Sequence, residues 1–142
     1  MNMIKQQSAG IIVFLEKNHE RYYLILKYMG GHWDFAKGKS EEGETLLDAA
    51  HRELKEETGL TAQIEPGFQE SLSYIFKERG KTIEKTVTFF VGQTNQERVA
   101  LSREHVGYLW LPFDQALKRL TYTNAQDVLT KADSFLSALP KQ

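Results

Sequence analysis

Apolar residues recur along this chain with two different periods, and the switches between them predict its elements. Ala9 to Leu15 is an unbroken run, Ala-Gly-Ile-Ile-Val-Phe-Leu, and Tyr22 to Lys27 is a second, Tyr-Tyr-Leu-Ile-Leu-Lys. Runs this short and this rich in β-branched and aromatic residues predict buried strands, here joined through the polar turn Glu16 to Arg21. Gly30-Gly31 breaks the chain before a short strand at His32 to Phe35, which leads into a glycine-punctuated loop at Gly38. Leu47, Ala50 and Leu54 then recur at i, i+3 and i+7, the stripe of an amphipathic helix. Extended segments follow at Ala62 to Ile64, Phe68 to Phe76, Thr86 to Gly92 and Val106 to Leu111, with Lys77 to Glu84 turning the chain between the middle two. Asp114 to Leu120 and Ala125 to Leu139 read as helices. In the second, Val128, Leu129, Ala132, Phe135, Leu136 and Leu139 share one face. The order is α+β, and strands with helices on both sides make an α/β/α sandwich. Period counting alone leaves the topology open.

The ends of the first helix are written into the sequence. Thr45-Leu-Leu-Asp48 fits a Ser/Thr-x-x-acid start, with Thr45 able to cap an early N–H and Asp48 in the positive first turn. Gly59 stands where a helix ends in a left-handed residue. On that helix Glu53, Glu56 and Glu57 stand at i, i+3 and i+4, one side of the cylinder. Three carboxylates so close repel one another. A divalent cation, or a raised pKa in one of them, relieves the repulsion. Oxygen-only donors favour Mg²⁺ or Mn²⁺, and magnesium on carboxylates most often works with substrate phosphates. A charge run is more commonly a solvated face, here salted with Arg52 and Lys55, so the whole spacing has to decide.

That spacing runs from Gly38 to Leu60. Gly38, five residues, Glu44, seven residues, Arg52-Glu53-Leu54-x-Glu56-Glu57-x-Gly59-Leu60 is similar to the Nudix hydrolase box at every fixed position. Trp33-Asp-Phe-Ala-Lys37-Gly38-Lys39 resembles the Trp-x-x-Pro-Lys-Gly-His segment of nucleoside polyphosphate hydrolases in that family, with Ala36 and Lys39 in place of proline and histidine. Leu101-Ser102-Arg103-Glu104-His105 and Tyr108-x-Trp110 resemble the Leu-Ser-x-Glu-His region of its asymmetric diadenosine tetraphosphate hydrolases.

The resemblance implies a mixed sheet, one domain over residues 1–142, and metal-assisted attack of water on a phosphorus of a nucleoside polyphosphate. It makes Glu56 and Glu57 the main cation ligands, with Glu53 as ligand or proton acceptor, the Gly38 carbonyl helping, and Glu104 binding metal or acting as base. Arg52 is expected to pair with a box carboxylate, since its planar fork suits bidentate contact better than lysine. Glu44 is expected to hold the loop to the helix start. Lys37, Lys39 and Lys85 are candidates to neutralise the phosphate chain, and Tyr74 and Phe135 to sandwich a base. His19, His32 and His51 show no ligand spacing, and His105 is expected to be structural or simply polar.

Composition sets bounds. The 142 residues carry 41% hydrophobic and 26% charged side chains, ordinary for one soluble domain, and a formal net charge of −1. There is no basic footprint for duplex DNA. With no cysteine, thiolate ligands, disulfides and cysteine nucleophiles are excluded. The first residues carry no signal-peptide core and no apolar stretch approaches roughly 18 residues, so a cytoplasmic protein acting alone or as a weak homodimer is expected. Three other readings remain at this level: a Nudix hydrolase acting on RNA 5′ ends or another nucleoside di- or triphosphate derivative, a Nudix-fold module that senses a nucleotide without cutting it, and a structural partner protein with an incidental acidic helix.

Overall fold

The computed structural model describes residues 3–140; the other four residues of the expected 1–142 domain lie outside it. Its first strand, β1 (Met3–Lys17), is the axis of the sheet. Along one side β1 runs parallel to β7 (Lys81–Gln93), from Met3 opposite Thr82 to Phe14 opposite Gln93. On its other side it pairs antiparallel with β2 (Glu20–Tyr28) at one end and with β4 (Lys37–Lys39) in the middle. The remaining strands are β3 (Trp33–Asp34), β5 (Gln63–Ile64), β6 (Glu70–Glu78) and β8 (His105–Leu111). Of these, β3 and β8 join β2, while β5 and β6 join β7, all antiparallel. The sheet is therefore mixed, as expected.

Alternation along the strands builds two cores. Ala9, Ile11 and Val13 of β1 face one side with Leu24, Leu26 and Phe90, and there meet Ala49, Ala50 and Leu54 of helix α1 (Leu46–Thr58). Ile12, Phe14, Tyr23, Ile25, Val87, Phe89 and Val91 face the other side, covered by α2 (Phe113–Arg119) and α3 (Thr123–Ser137). A sheet buried on both faces reads as continuous apolar runs, which is what Ala9 to Leu15 shows. The layers are α1, sheet, then α2 with α3. No helix among the described residues is long and apolar enough to cross a membrane.

Two expectations need correction. The segment Lys37–Lys39 is a strand, because Ser8, Ala9 and Gly10 of β1 supply it a ladder. Both hairpin turns are shorter than the polar segments suggest. β1 and β2 meet at Asn18-His19, and β6 and β7 at Arg79-Gly80, each a two-residue turn with both φ angles positive. Such turns match the twist of paired strands, so the polar flanks continue the ladder. His19, at φ 65°, bears the steric cost of the left-handed region. His19→Gly is expected to stabilise the protein by roughly 0.5 kcal/mol after glycine's own entropy is counted, a rise of about 1–2 °C in melting temperature.

Candidate active site

Helix α1 starts and ends as its sequence dictates. Thr45 Oγ1 accepts from the Asp48 N–H at 3.0 Å, Asp48 Oδ2 accepts from the Thr45 N–H, and Gly59 closes the helix at φ 75°. These caps fix the ends of the helix, and the burial of Ala49, Ala50 and Leu54 against the sheet sets its rotation and hence the direction of its glutamates. Arg52 is the hub. Its Nε and Nη2 grip Glu44 at 2.7 and 3.0 Å, Nη2 also donates to the Lys39 carbonyl at 2.9 Å, and Nη1 reaches Glu53 at 3.1 Å and both oxygens of Glu56 at 3.2 Å. The bidentate grip holds the Glu44 carboxyl below its usual range. Glu44 thus ties the loop to the helix, its side chain engaged by Arg52 and by the Glu41 N–H at 2.7 Å.

Glu53 lies directly over Gly38, so closely that a methyl group there would coincide with the Glu53 carboxyl. Glu57 points inward and is only 3% exposed. Both of its oxygens are buried without a hydrogen-bond partner, and so is Nε2 of His105, 3.0 Å from Glu57 Oε1. Burial, then the neighbouring Glu53 carboxyl and the charge of Glu104, push the Glu57 carboxyl up to about 9. Burial lowers the His105 imidazole, so this contact joins a neutral ring to the acid and is not an ion pair.

Beside Gly38 opens a cleft of about 560 Å³ between the sheet and the start of α3, lined by Lys37, Tyr74, Lys85, Tyr28, His32 and Tyr122 among others. Lys85, opposite Tyr74 across the β6–β7 ladder, is half-buried, and burial together with Lys37 and Lys39 lowers its ammonium. Lys37 is held 3.0 Å from the buried carboxylate of Asp34. Lys39 is exposed.

Not every expected residue converges. Phe135 lines a separate depression, its ring 5.5 Å from Phe68 and against Gly67, because it belongs to the apolar face of α3. Tyr74 lines the cleft and Phe135 the separate depression. Aromatic groups the sequence reading passed over line the cleft as well. The Tyr28 and His32 rings stack at 4.6 Å, Tyr122 stands 5.6 Å from His32, and the Tyr28 hydroxyl donates to the Phe35 carbonyl at 2.6 Å. A usable signal existed: each of the three sits at an element end or beside the Gly30-Gly31 break.

The family model described as NUDIX domain matches residues 5–132. The chain belongs to the Nudix family. It is 32% identical to the asymmetrical bis(5′-nucleosyl)-tetraphosphatase of Sus scrofa over 94% of this chain and 97% of that one. The corresponding Caenorhabditis elegans protein is 30% identical over 92% and 96%. A crystal structure of a C. elegans Ap4A hydrolase binary complex superposes with a TM-score of 0.85, covering 94% of this chain and 99% of that chain at 28% identity. This protein is accordingly a Nudix hydrolase, an enzyme of nucleoside polyphosphate hydrolysis, and such hydrolases in general use divalent cations.

The Nudix box residues fit a cation by their chemistry. Glu57 offers two unpartnered buried oxygens, and Glu53 is held beside it by the absence of a side chain at Gly38. Among the described residues, however, no three Asp, Glu or His side chains form a ready-made cage. Glu56 is turned to Arg52 and exposed, and Glu104 is exposed on the turn before β8, so the expected five-donor set is only partly drawn together. Mutual repulsion explains the spread, since each acid takes whatever cationic or buried partner is nearest.

A pH effect follows from Glu57. Its folded pKa lies above the ordinary 4.5, so the stability of its protonated form is full below about 4.5 and is lost as pH rises toward 9. In EDTA the melting temperature is expected to fall between pH 6 and 8. The slope approaches 1.4 kcal/mol per pH unit for one proton, about 3–4 °C for a chain of this size. Added Mg²⁺ or Mn²⁺ should displace the proton and reverse the fall, most at high pH. A flat profile in EDTA would contradict the raised pKa.

Proposed function

We propose that this enzyme hydrolyses diadenosine tetraphosphate asymmetrically, to ATP and AMP, with Mg²⁺ or Mn²⁺. One observation carries the reading: the acid cluster around Gly38 opens onto a cleft that carries both lysines and aromatic rings. A polyphosphate between two nucleosides needs all three chemistries side by side.

Glu53, Glu56 and Glu57, with the Gly38 carbonyl and Glu104, would hold the cation. When bound, the cation supplies charge neutralisation on the phosphate oxygens and lowers the pKa of water. The protein's own residues do the rest. Arg52 keeps Glu53 and Glu56 oriented through Nη1. Lys37, Lys39 and Lys85 offset the phosphate charge, and the half-buried ammonium of Lys85 acts at low dielectric. Tyr74 and Tyr122 offer faces for a base, each stacked base being worth about 1–3 kcal/mol. Glu53 or Glu104 takes the proton as water oxygen bonds to phosphorus and the bridging P–O bond breaks, the leaving nucleotide carrying off that electron pair. No phosphoenzyme is required. The reading takes the protein as cytoplasmic, acting as a monomer or weak homodimer on a small nucleotide and not on duplex DNA or a membrane.

The test is product analysis with diadenosine tetraphosphate in ¹⁸O-water, with and without Mg²⁺, beside a triphosphate-ended RNA. ATP and AMP in equal amounts, cation-dependent, with the label in a single product, are expected. Two molecules of ADP, or faster turnover of the RNA, would overturn the substrate assignment.

A further inference from the structure

We propose that His105 is a positioning residue for Glu57: its imidazole, set in one tautomer by Ser102, holds the buried carboxyl where the cation is taken up. The inference rests on the reading of Glu57 as a cation ligand.

The turn before β8 is pinned to the end of α1. The Ser102 N–H donates to the Glu57 carbonyl at 3.0 Å, and the His105 N–H donates to the Ser102 carbonyl at 3.2 Å. Ser102 Oγ accepts the Glu104 N–H at 3.4 Å and lies 3.1 Å from His105 Nδ1, to which, on this proposal, it donates its own hydrogen. With Nδ1 accepting, the ring proton sits on Nε2, the nitrogen 3.0 Å from Glu57 Oε1. The His105 side chain is fully enclosed, and the Tyr28 ring lies against it with centroids 4.4 Å apart, so the imidazole has little room to move.

Three buried polar atoms without partners stand together here, Nε2 and the two Glu57 oxygens. Unpaired buried acceptors are costly, so the two carboxyl oxygens point to a cation that completes them, while the Nε2–H, 3.0 Å from Oε1, has only that carboxyl to turn to. A neutral N–H beside one oxygen restrains the carboxylate without cancelling its charge, which stays available to a cation. Outer partners of this kind set ligand orientation at metal sites generally. The same turn carries Glu104, whose charge acts on Glu57.

Free Mn²⁺ measured by electron paramagnetic resonance, with the full-length protein as titrant, tests this directly. His105→Phe keeps the shape and loses the donor; it is expected to weaken Mn²⁺ binding by about 10–100-fold, while His105→Gln, whose amide N–H reaches the Nε2 position, recovers most of that loss. Ser102→Ala, a small change in case the phenylalanine variant unfolds, should weaken binding by about 3–10-fold with an unchanged melting curve. Native-like Mn²⁺ affinity in both His105→Phe and Ser102→Ala would overturn the proposal, as would a glutamine variant no better than the phenylalanine one. Glu57→Gln separates the two levels. If it loses Mn²⁺ while the His105 variants do not, only the positioning role fails; if it binds Mn²⁺ normally, the ligand reading fails and this proposal with it.

Discussion

Glu57→Gln is expected to lower turnover by about three orders of magnitude, roughly 4 kcal/mol of transition-state stabilisation, and yet to melt at a higher temperature than the parent in EDTA at pH 8. The two effects share one cause. Glu57 is 3% exposed, its oxygens lack partners, and its carboxyl is pushed up to about 9. Without a cation the folded protein has to hold a proton there that the unfolded chain has released. Glutamine has the shape of the protonated acid and no such requirement, so it should gain at least about 1–2 kcal/mol at pH 8, near 5 °C, and little at pH 5. Mg²⁺ should raise the melting temperature of the parent and leave the variant unmoved. Glu56→Gln separates activity from burial. That exposed side chain meets only Arg52, so turnover should fall by a similar factor with almost no change in melting. Circular dichroism melts and initial rates on the same preparations decide the matter. Equal rates in parent and both variants would remove the acids from the reaction.

What the sequence made legible follows from how local each cause is. The caps of α1, Thr45 with Asp48 and Gly59, act within one turn, so the helix is read correctly to within a residue at either end. Alternation in β1 and the stripe of α3 likewise place the two cores. The box spacing foretold that Arg52 would meet a carboxylate, although not that Glu44, eight residues away, would take the bidentate grip. Strand β4 was hidden because only a partner distant in the chain makes three residues a strand. Of the cleft aromatics passed over, Tyr28 and His32 flank the Gly30-Gly31 break, whereas Tyr122 comes from a distant stretch and only the fold brings it beside His32. Phe135 is partly buried against the core that Val128, Leu129 and Ala132 help to form, as the stripe of α3 predicts. His105 carried no motif signal as a ligand, and only the fold brings its ring to Glu57.

Gly38→Ala is the second large effect, and its contrast with Gly10→Ala separates function from fold. Both glycines lie where β1 and β4 pair, and a methyl at either meets other atoms. At Gly10 it would come within 2.5 Å of the Ala36 carbonyl oxygen and 2.8 Å of Lys37 Cβ, parts of the backbone framework that cannot step aside. Forcing a methylene into such a site costs roughly 1–3 kcal/mol or more. Gly10→Ala should therefore melt at least about 5 °C lower, and the active fraction that remains should turn over normally. At Gly38 the obstacle is the end of a flexible side chain, the Glu53 carboxyl. That group can swing away, so Gly38→Ala should melt within about 3 °C of the parent. Its displacement takes Glu53 from beside Glu57 and loosens its hold on Arg52 Nη1. A shift of about 1 Å at a reacting group costs on the order of 100-fold, so turnover should fall at least that far. Shortening the obstacle gives the decisive control. In a Gly38→Ala, Glu53→Asp double variant the shorter acid leaves room for the methyl, and the two losses should combine less than additively. Full additivity, or a Gly38→Ala protein with native turnover, would mean that the closeness of Gly38 and Glu53 has no part in the chemistry.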